Sequence, residues 1–546
     1  MKPRARSTSS STSRPDAGSS PDVRLTLRER VARSLRDPSA GSGPLVARLF
    51  HRLLALVFLV AWLSLGAQID VLIGSRGLLP VAPFLAGARA EGLSLHALPT
   101  VLRWGASDAA LHAWIGIGAG LAVAALLGVA PRLSFAIQTA LYLSFAVACR
   151  TFLGFQWDNL LIECGLLAAL LPRDRPARWA HVLFRVLLFK LYWESGLAKW
   201  QSPLGDWQDG SAMTFYYETA PLPTRLAHAA HALPDAWHQI ESWLTLAVEL
   251  AVPIAIFGPR RPRLVAATIF TLFQLLNILT ANYGFFAYLA VALHVFLLDE
   301  RDLARARRGL ERRAPALRRL RARARWLRAT IRCRSPVHAA LRRAAAALRR
   351  NGIARRGVLV RAAVMVAYLG ASLIEGLVRF GDSPAWSADL ASIRAIYAPL
   401  RIVNTYHLFA AITRERIEPE VQTSDDGETW TARDLAHKAG DPRRAPGFVA
   451  PHQPRVDFQL WFYGLSYRRG MPSYVAALLD RVCNDPTAVQ GLFRESLPAR
   501  PAAARLVFWR YHFTTPDQRR ATGAFWERES VGASRPLGCR SRPGSP

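Results

Sequence analysis

The chain has 546 residues, 51% hydrophobic and 20% charged, with 70 Lys and Arg against 39 Asp and Glu for a formal charge of +31. Its mean hydropathy of +0.12 fits that much charge only if charged and apolar residues are segregated along the chain. They are: the arginines concentrate in 1–52 and 301–361, beside apolar runs. Positive charge placed so orients membrane helices and attracts anionic headgroups, and no nucleic-acid recognition motif accompanies it.

The chain opens on a Ser/Arg/Pro-rich stretch, MKPRARSTSSSTSRPDAGSSP, that carries no cleavable signal; residues 1–44 read as a disordered cytoplasmic tail. A hydrocarbon core of about 30 Å needs roughly 20 apolar helical residues, and VARLFHRLLALVFLVAWLSLGA (46–67) supplies them. Segments near 111–130, 133–149, 181–199, 240–257, 263–281 and 358–378 do the same, and 157–171 and 283–298 are shorter, which predicts nine transmembrane segments. The expected layout is a polytopic helical domain over 45–299, an Arg-rich cytoplasmic loop over 300–357 and a last span over 358–379.

Excess Lys and Arg mark cytoplasmic loops, so the charges set an orientation. With the N-terminus inside, the loops 68–110 and 200–239 fall outside, while PRDRPAR (172–178), GPRRPR (258–263) and the Arg-rich loop fall inside. The turn at Arg150 runs against the rule. If both short spans are re-entrant, the number of crossings stays odd and residues 380–535 still end outside. The about twenty arginines of 301–356, interleaved with alanine, favour a helix that is solvated or lies on the lipid surface, where it contacts anionic headgroups and locks the topology.

After the last span the period changes. IEPEVQTSDDGETWTARDL (417–435) alternates polar and apolar residues around Asp-Asp-Gly, a hairpin signal because a tight turn needs positive φ. RLVFWRYHFTT (505–515) predicts a further strand, and MPSYVAALLDRVCND and TAVQGLFRES predict amphipathic helices. The domain therefore reads as β-rich α+β, with a sandwich as the expected form, and 536–546 as a disordered tail. Of the five cysteines none forms CxxC; Cys149 and Cys164 sit in or near apolar runs, and an extracytoplasmic domain would allow Cys483 and Cys539 to pair, which spacing alone does not decide.

Asp158, Glu163, Lys190, Glu194, Lys199 and Glu249 fall within or beside apolar segments. A charge at membrane depth costs about 2.5–3.5 kcal/mol, so such groups pair or line a wet cavity. Lys190 and Glu194 are i,i+4 on one helix and predict a direct pair. Lys199 is expected at the interface and Asp158 near the outer end of its segment. Glu163, Lys190 and Glu194 are the weak catalytic candidates. HAAHALPDAWH places His228, His231 and His238 close together, but Pro234 interrupts and no ligand spacing is met. HExxH, GxSxG and P-loop signatures do not occur; no cofactor or metal is expected, and the chain is not itself read as a lipase.

Two stretches are candidates for contact with a client or between domains. GDWQDGSAMTFYYETAPLPT supplies Asp206, Trp207, Tyr216, Tyr217 and Glu218, and FVAPHQPRVDFQLWF supplies Pro451, His452, Gln453, Pro454, Arg455, Asp457 and Trp461. Two prolines stiffen the second loop, and Arg455 and Asp457 are suited to anchoring it through ion pairs. The open question is whether these groups point inward, joining two halves, or outward.

LIGSRGLLPVAPFL (72–85), FQWDNLLIECGLLA (155–168), LAKWQSPLGDWQDGSAMTFYYETAPLPT (197–224), and IVNTYHLFAAITRERIEPEVQTSDDGETW with GFVAPHQPRVDFQLWF together resemble the lipase maturation factor family. The motifs run in order along nearly the whole chain after residue 45. The resemblance implies an endoplasmic-reticulum membrane factor that helps secreted lipases fold and assemble; the Arg/Ala/Pro/Gly richness points to a bacterial-type member, placed in an inner membrane. The reading it supports is a non-enzymatic, membrane-anchored maturation factor whose partner is an exported lipase or other secreted protein. The alternative is an integral-membrane enzyme with an intramembrane Lys/Glu site acting on a lipid-soluble or peptide substrate.

Overall fold

The computed structural model describes residues 43–314, 323, 353–381 and 388–539. Expectations for 1–42, for most of the Arg-rich loop and for 540–546 lie outside the described residues. Residues 39–546 form one unit.

The first long helix, α1 (Pro44–Gly66), starts on a proline at its first turn, where the missing N–H costs nothing. It buries Phe50, Phe58 and Trp62 completely. Helix α2 (Asp108–Leu127) begins on a Ser107 cap that accepts the Ala110 N–H and ends on Gly128 at φ 81°. It approaches α1 so closely that a Cβ on Gly118 would stand 2.4 Å from the Trp62 ring. Helices α3 (Pro131–Ala148) and α4 (Gln156–Leu170) follow, and Gly165 of α4 likewise leaves room for Thr139 and Phe58. Then come α5 (Arg178–Trp200), α6 (Ala212–Thr219), α7 (Asp235–Leu250), α8 (Arg260–Thr280), α9 (Phe286–Leu293) and α10 (Ile353–Phe380).

Among the described residues, five helical segments are long and apolar enough to cross a membrane: Pro44–Gly66, Asp108–Leu127, Asp235–Phe257, Arg260–Thr280 and Val358–Phe380. Phe286–Leu297 is apolar but shorter. Helix α10 buries Tyr368, Ser372 and Glu375 while Val360, Val366 and Leu373 stay exposed, the distribution of a helix whose outer face meets lipid and whose polar residues turn inward.

The C-terminal part is built on one antiparallel sheet in the order β2-β1-β3-β4, with β5 on β3: β1 (Arg416–Ser424), β2 (Thr431–Arg433), β3 (Ala503–Phe513), β4 (Trp526–Ala533) and β5 (Leu537–Gly538). The Asp-Asp-Gly turn joins β1 to β2, with Thr423 opposite Thr431 and Gly427 at φ 83°. The expected sandwich gives way to a single sheet among the described residues. The reason lies in the partner layer: helix α11 (Arg455–Gly464) presses on β1, Gly464 bringing its backbone so near that a Cβ would meet the Ile417 carbonyl at 2.1 Å. The predicted helix over SYVAALLDRVCN is present as α12 (Ser473–Asn484), but TAVQGLFRES shortens to a turn at Pro486–Val489 and then bridges Phe493 to Leu435. A disulfide joins Cys483 to Cys539, and Cys149 and Cys164 are buried thiols.

All nine residues of β1 are buried. Its alternation predicts one polar face, and that face is covered as well: Arg416 meets Glu418 at 2.5 Å, Lys438 meets the other Glu418 oxygen at 2.5 Å, and Arg528 reaches Glu420 at 2.6 Å. Burial holds the Lys438 ammonium below its ordinary pKa, against the attraction of Glu418.

Candidate functional site

Charged residues of the helical half meet the C-terminal half along one seam. Asp158 lies in the first turn of α4, near the end of its segment, and is fully buried there rather than exposed. Arg455, at the start of α11, forks onto it at 2.6 and 2.9 Å, and Tyr142 adds its hydroxyl at 2.7 Å. A bidentate guanidinium–carboxylate pair is both strong and directional, so it fixes position as well as orientation. The carboxylate also holds the Arg455 pKa above its usual value against the effect of burial.

Glu163, one turn further along α4, collects four residues. Lys190 of α5 is at 3.3 Å, Tyr368 of α10 at 2.6 Å and Tyr406 at 2.8 Å, while Asn404 donates its backbone N–H at 3.1 Å and its amide at 2.9 Å. The expected Lys190–Glu194 pair does not form: Lys190 turns to Glu163, and Glu194 accepts the Tyr406 N–H at 2.8 Å. The next cluster is Lys199, in the last turn of α5 and buried between Glu249 at 2.7 Å and the Leu408 carbonyl at 2.8 Å. Segment 404–412 is therefore laid across the bundle by backbone bonds to carboxylates: Asp206 takes the Ile412 N–H at 2.8 Å and the Ser202 hydroxyl at 2.6 Å.

The GDWQDG stretch continues the seam. Trp207 is buried under Lys199, Tyr216 bonds Tyr283 at 2.9 Å, and Tyr217 donates to Glu241 at 3.0 Å. Glu218 accepts the Phe513 N–H of β3 at 2.7 Å, with His512 at 3.0 Å and His231 at 3.5 Å. The three histidines stay close but serve different neighbours: His228 lies between the Phe513 and Phe525 rings, His231 faces Glu218, and His238 bonds Glu241 and the His231 carbonyl.

Within FVAPHQPRVDF the groups from Val449 to Arg455 bond inward to the helical half, while Phe448 stays exposed. Val449 and Ala450 donate their N–H groups to Asn282 at 2.7 and 2.9 Å, and a cis Ala450–Pro451 bond follows, with Pro451 exposed. Gln453 donates its N–H to Ser64 Oγ at 3.0 Å, and its carbonyl accepts from Gln68 at 2.8 Å; the Gln68 amide oxygen takes the Arg455 N–H at 2.9 Å. Ser64 Oγ also lies within hydrogen-bond distance of His452 Nδ1, at 2.9 Å. Burial, with His437 and Arg455 nearby, lowers His452 to about 4, so the ring is neutral at pH 7. Pro454 caps α11, and Trp461 Nε1 donates to the Thr219 carbonyl at 2.8 Å. Asp457 belongs instead to its own domain, where it accepts the His437 N–H at 3.0 Å; burial raises its pKa. His452 and Asp457 thus have separate partners.

Ser64, Gln68, Asn282, Asn404, Tyr368 and Tyr142 are the seam residues that sequence reasoning passes over. They are uncharged and sit in apolar or turn contexts, where a single Ser or Tyr carries no pattern. Among the described residues no group of three or more His, Cys, Asp or Glu is arranged to hold a metal ion. Glu163 and Lys190 have their capacity taken up by neighbours that position the C-terminal half.

Fold and seam define a polytopic helical membrane protein carrying a small-sheet domain clamped onto its bundle through buried charges. The lipase maturation factor transmembrane domain matches residues 45–305, and the lipase maturation factor C-terminal domain matches 402–536. The chain belongs to the lipase maturation factor family. It is 30% identical to lipase maturation factor 1 of Bos taurus over 95% of this chain and 92% of that protein. It is also similar to lipase maturation factor 2 of Gallus gallus (29%, 88% and 80%) and of Homo sapiens (29%, 90% and 82%). No solved structure matches.

Proposed function

We propose that the chain is a membrane-anchored maturation and assembly factor for exported proteins, lipases or related hydrolases, acting by holding a client rather than by a reaction. The observation that carries this is the use of the buried charges. Asp158, Glu163, Lys199, Asp206 and Glu218 each hold a backbone or side-chain group of the C-terminal half, so their chemistry is spent on docking. The names of the relatives agree with this reading.

In the orientation we propose, the N-terminus is cytoplasmic and the sheet domain lies outside, on nine spans made by adding Pro131–Ala148, Gln156–Leu170, Arg178–Trp200 and Phe286–Leu297 to the five long helical segments. The Cys483–Cys539 disulfide supports it, because such bonds persist in oxidising compartments. The Arg-rich loop then faces anionic headgroups. The client meets apolar side chains that the sheet domain leaves exposed, such as Phe448 and Phe462, while the seam keeps that surface at a fixed distance from the membrane. Deleting the gene and assaying every exported hydrolase for specific activity and aggregation tests this. Recovery of activity with the intact chain, but not with F448S/F462S, is expected; hydrolases unchanged by the deletion would sink the proposal.

A further inference from the structure

Helices α5, α7 and α8 bound a cavity of 660 Å³, closed on one side by Leu408 and Phe409. It falls within the range of about 300–1,000 Å³ that holds small-molecule ligands. Its walls are mainly apolar, with Leu191, Val248, Val252, Ile269 and Phe273 among them, and the lining runs along α7 from Trp237 to Glu249, about 18 Å at 1.5 Å per residue. The seam does not fill it.

Three features mark the cavity as built for an occupant. Gln274 is 2% exposed and donates to Tyr192 OH at 3.1 Å, but its Oε1 has no partner; an unmet buried acceptor is costly. Phe409 holds φ 54°, a backbone state that a bulky residue rarely adopts, with its ring against Tyr216 and Tyr283. Leu244, Leu272 and Leu276 line the cavity and are also exposed on α7 and α8. Both helices belong to segments long and apolar enough to span a bilayer, so the medium at the mouth is hydrocarbon and an acyl chain is what enters.

The polar lining selects the headgroup. Lys199 is the one cation among the lining residues, and Glu249 and the Leu408 carbonyl already hold it. Gln274 Oε1 presents an open acceptor, and Glu241, already engaged by Tyr217 and His238, adds negative charge to the lining. We propose that this cavity binds one acyl chain of a neutral or zwitterionic membrane lipid whose headgroup donates hydrogen bonds, and that it disfavours anionic lipids. The ligand enters from the bilayer between α7 and α8.

The test uses the full chain in nanodiscs containing phosphatidylethanolamine, or in a second arm phosphatidic acid, each bearing a diazirine on its acyl chain. Labelled positions are mapped by peptide mass spectrometry. With phosphatidylethanolamine, labelling concentrates on 244–252 and 269–277 relative to Ile117 and Val123, which face outward on α2. Filling the lumen with A247W, or independently with A251W, cuts that labelling by about tenfold, as losing a few buried methylenes does to affinity, and leaves Ile117 and Val123 unchanged. Equal labelling of cavity and α2, or labelling indifferent to both tryptophans in folded protein, overturns the site. Equal labelling by the phosphatidic acid probe overturns the headgroup assignment.

Discussion

Replacing Arg455 by methionine preserves most of the apolar stem and removes the charge, leaving the Asp158 carboxylate fully buried with the Tyr142 hydroxyl still donating to it. Breaking a buried pair from one side costs about 3–5 kcal/mol, because the surviving charge is uncompensated. The guanidinium also gives up the Phe152 carbonyl at 3.2 Å, which adds to the loss. The effect concentrates on the seam, since Arg455 N–H, Gln453 N–H and Phe513 N–H all bond to groups of the helical half. Hydrogen exchange of those amides reads the opening directly. At about 1.4 kcal/mol per tenfold, R455M should speed their exchange by roughly a hundredfold or more, up to the limit set by global unfolding. The double variant R455M/D158L removes both charges and should recover most of the loss, as apolar replacements of buried pairs do. Acceleration below about tenfold, or single-variant effects that simply add, would refute the account of the pair as the clamp.

E163Q strips Lys190 of its counter-charge and offers one acceptor oxygen where Asn404, Tyr368 and Tyr406 now share two; a loss of about 3 kcal/mol is expected, seen as a lower unfolding midpoint together with faster exchange at Tyr406. Acid should loosen the seam through His452. Its folded pKa of about 4 lies below the ordinary 6.5, so the unfolded state binds more protons between those values, and stability present above pH 6.5 is lost as pH falls toward 4. Solvent screens this half-buried ring, so its contribution stays well below about 3 kcal/mol, which the full shift would give, and H452N should flatten exchange of the Gln453 amide between pH 7 and 4.5. Reducing the Cys483–Cys539 bond, which closes a separation of 56 residues, should cost the sheet domain about 4 kcal/mol by the chain-entropy estimate; C483S/C539S then unfolds the domain at lower denaturant without moving the midpoint of the helical half.

What the sequence determined by itself is what depends on neighbours in the chain. Apolar runs of spanning length, the segregation of arginine from them, the Asp-Gly turn of the β1–β2 hairpin and the α12 pattern are local, because hydrogen bonding and side-chain period act over a few residues. The order of motifs carried the family for the same reason. Where local reasoning reached further it erred: Lys190 and Glu194 stand one turn apart, yet the carboxylate that Lys190 finds is on another helix. The polar face of β1, open to water by its alternation, is covered by ion pairs from Lys438 and Arg528.

Only the tertiary structure decided which way FVAPHQPRVDF points. Asp158 and Arg455 are 297 positions apart, and Glu218 and Phe513 are 295, separations at which no spacing rule applies. A buried charge must find an opposite charge or a donor wherever the fold brings one. Each half alone would expose these groups; together they satisfy one another. That mutual need, invisible in either segment, turns residues 449–455 into the inner face of a joint and leaves Phe448 at its rim.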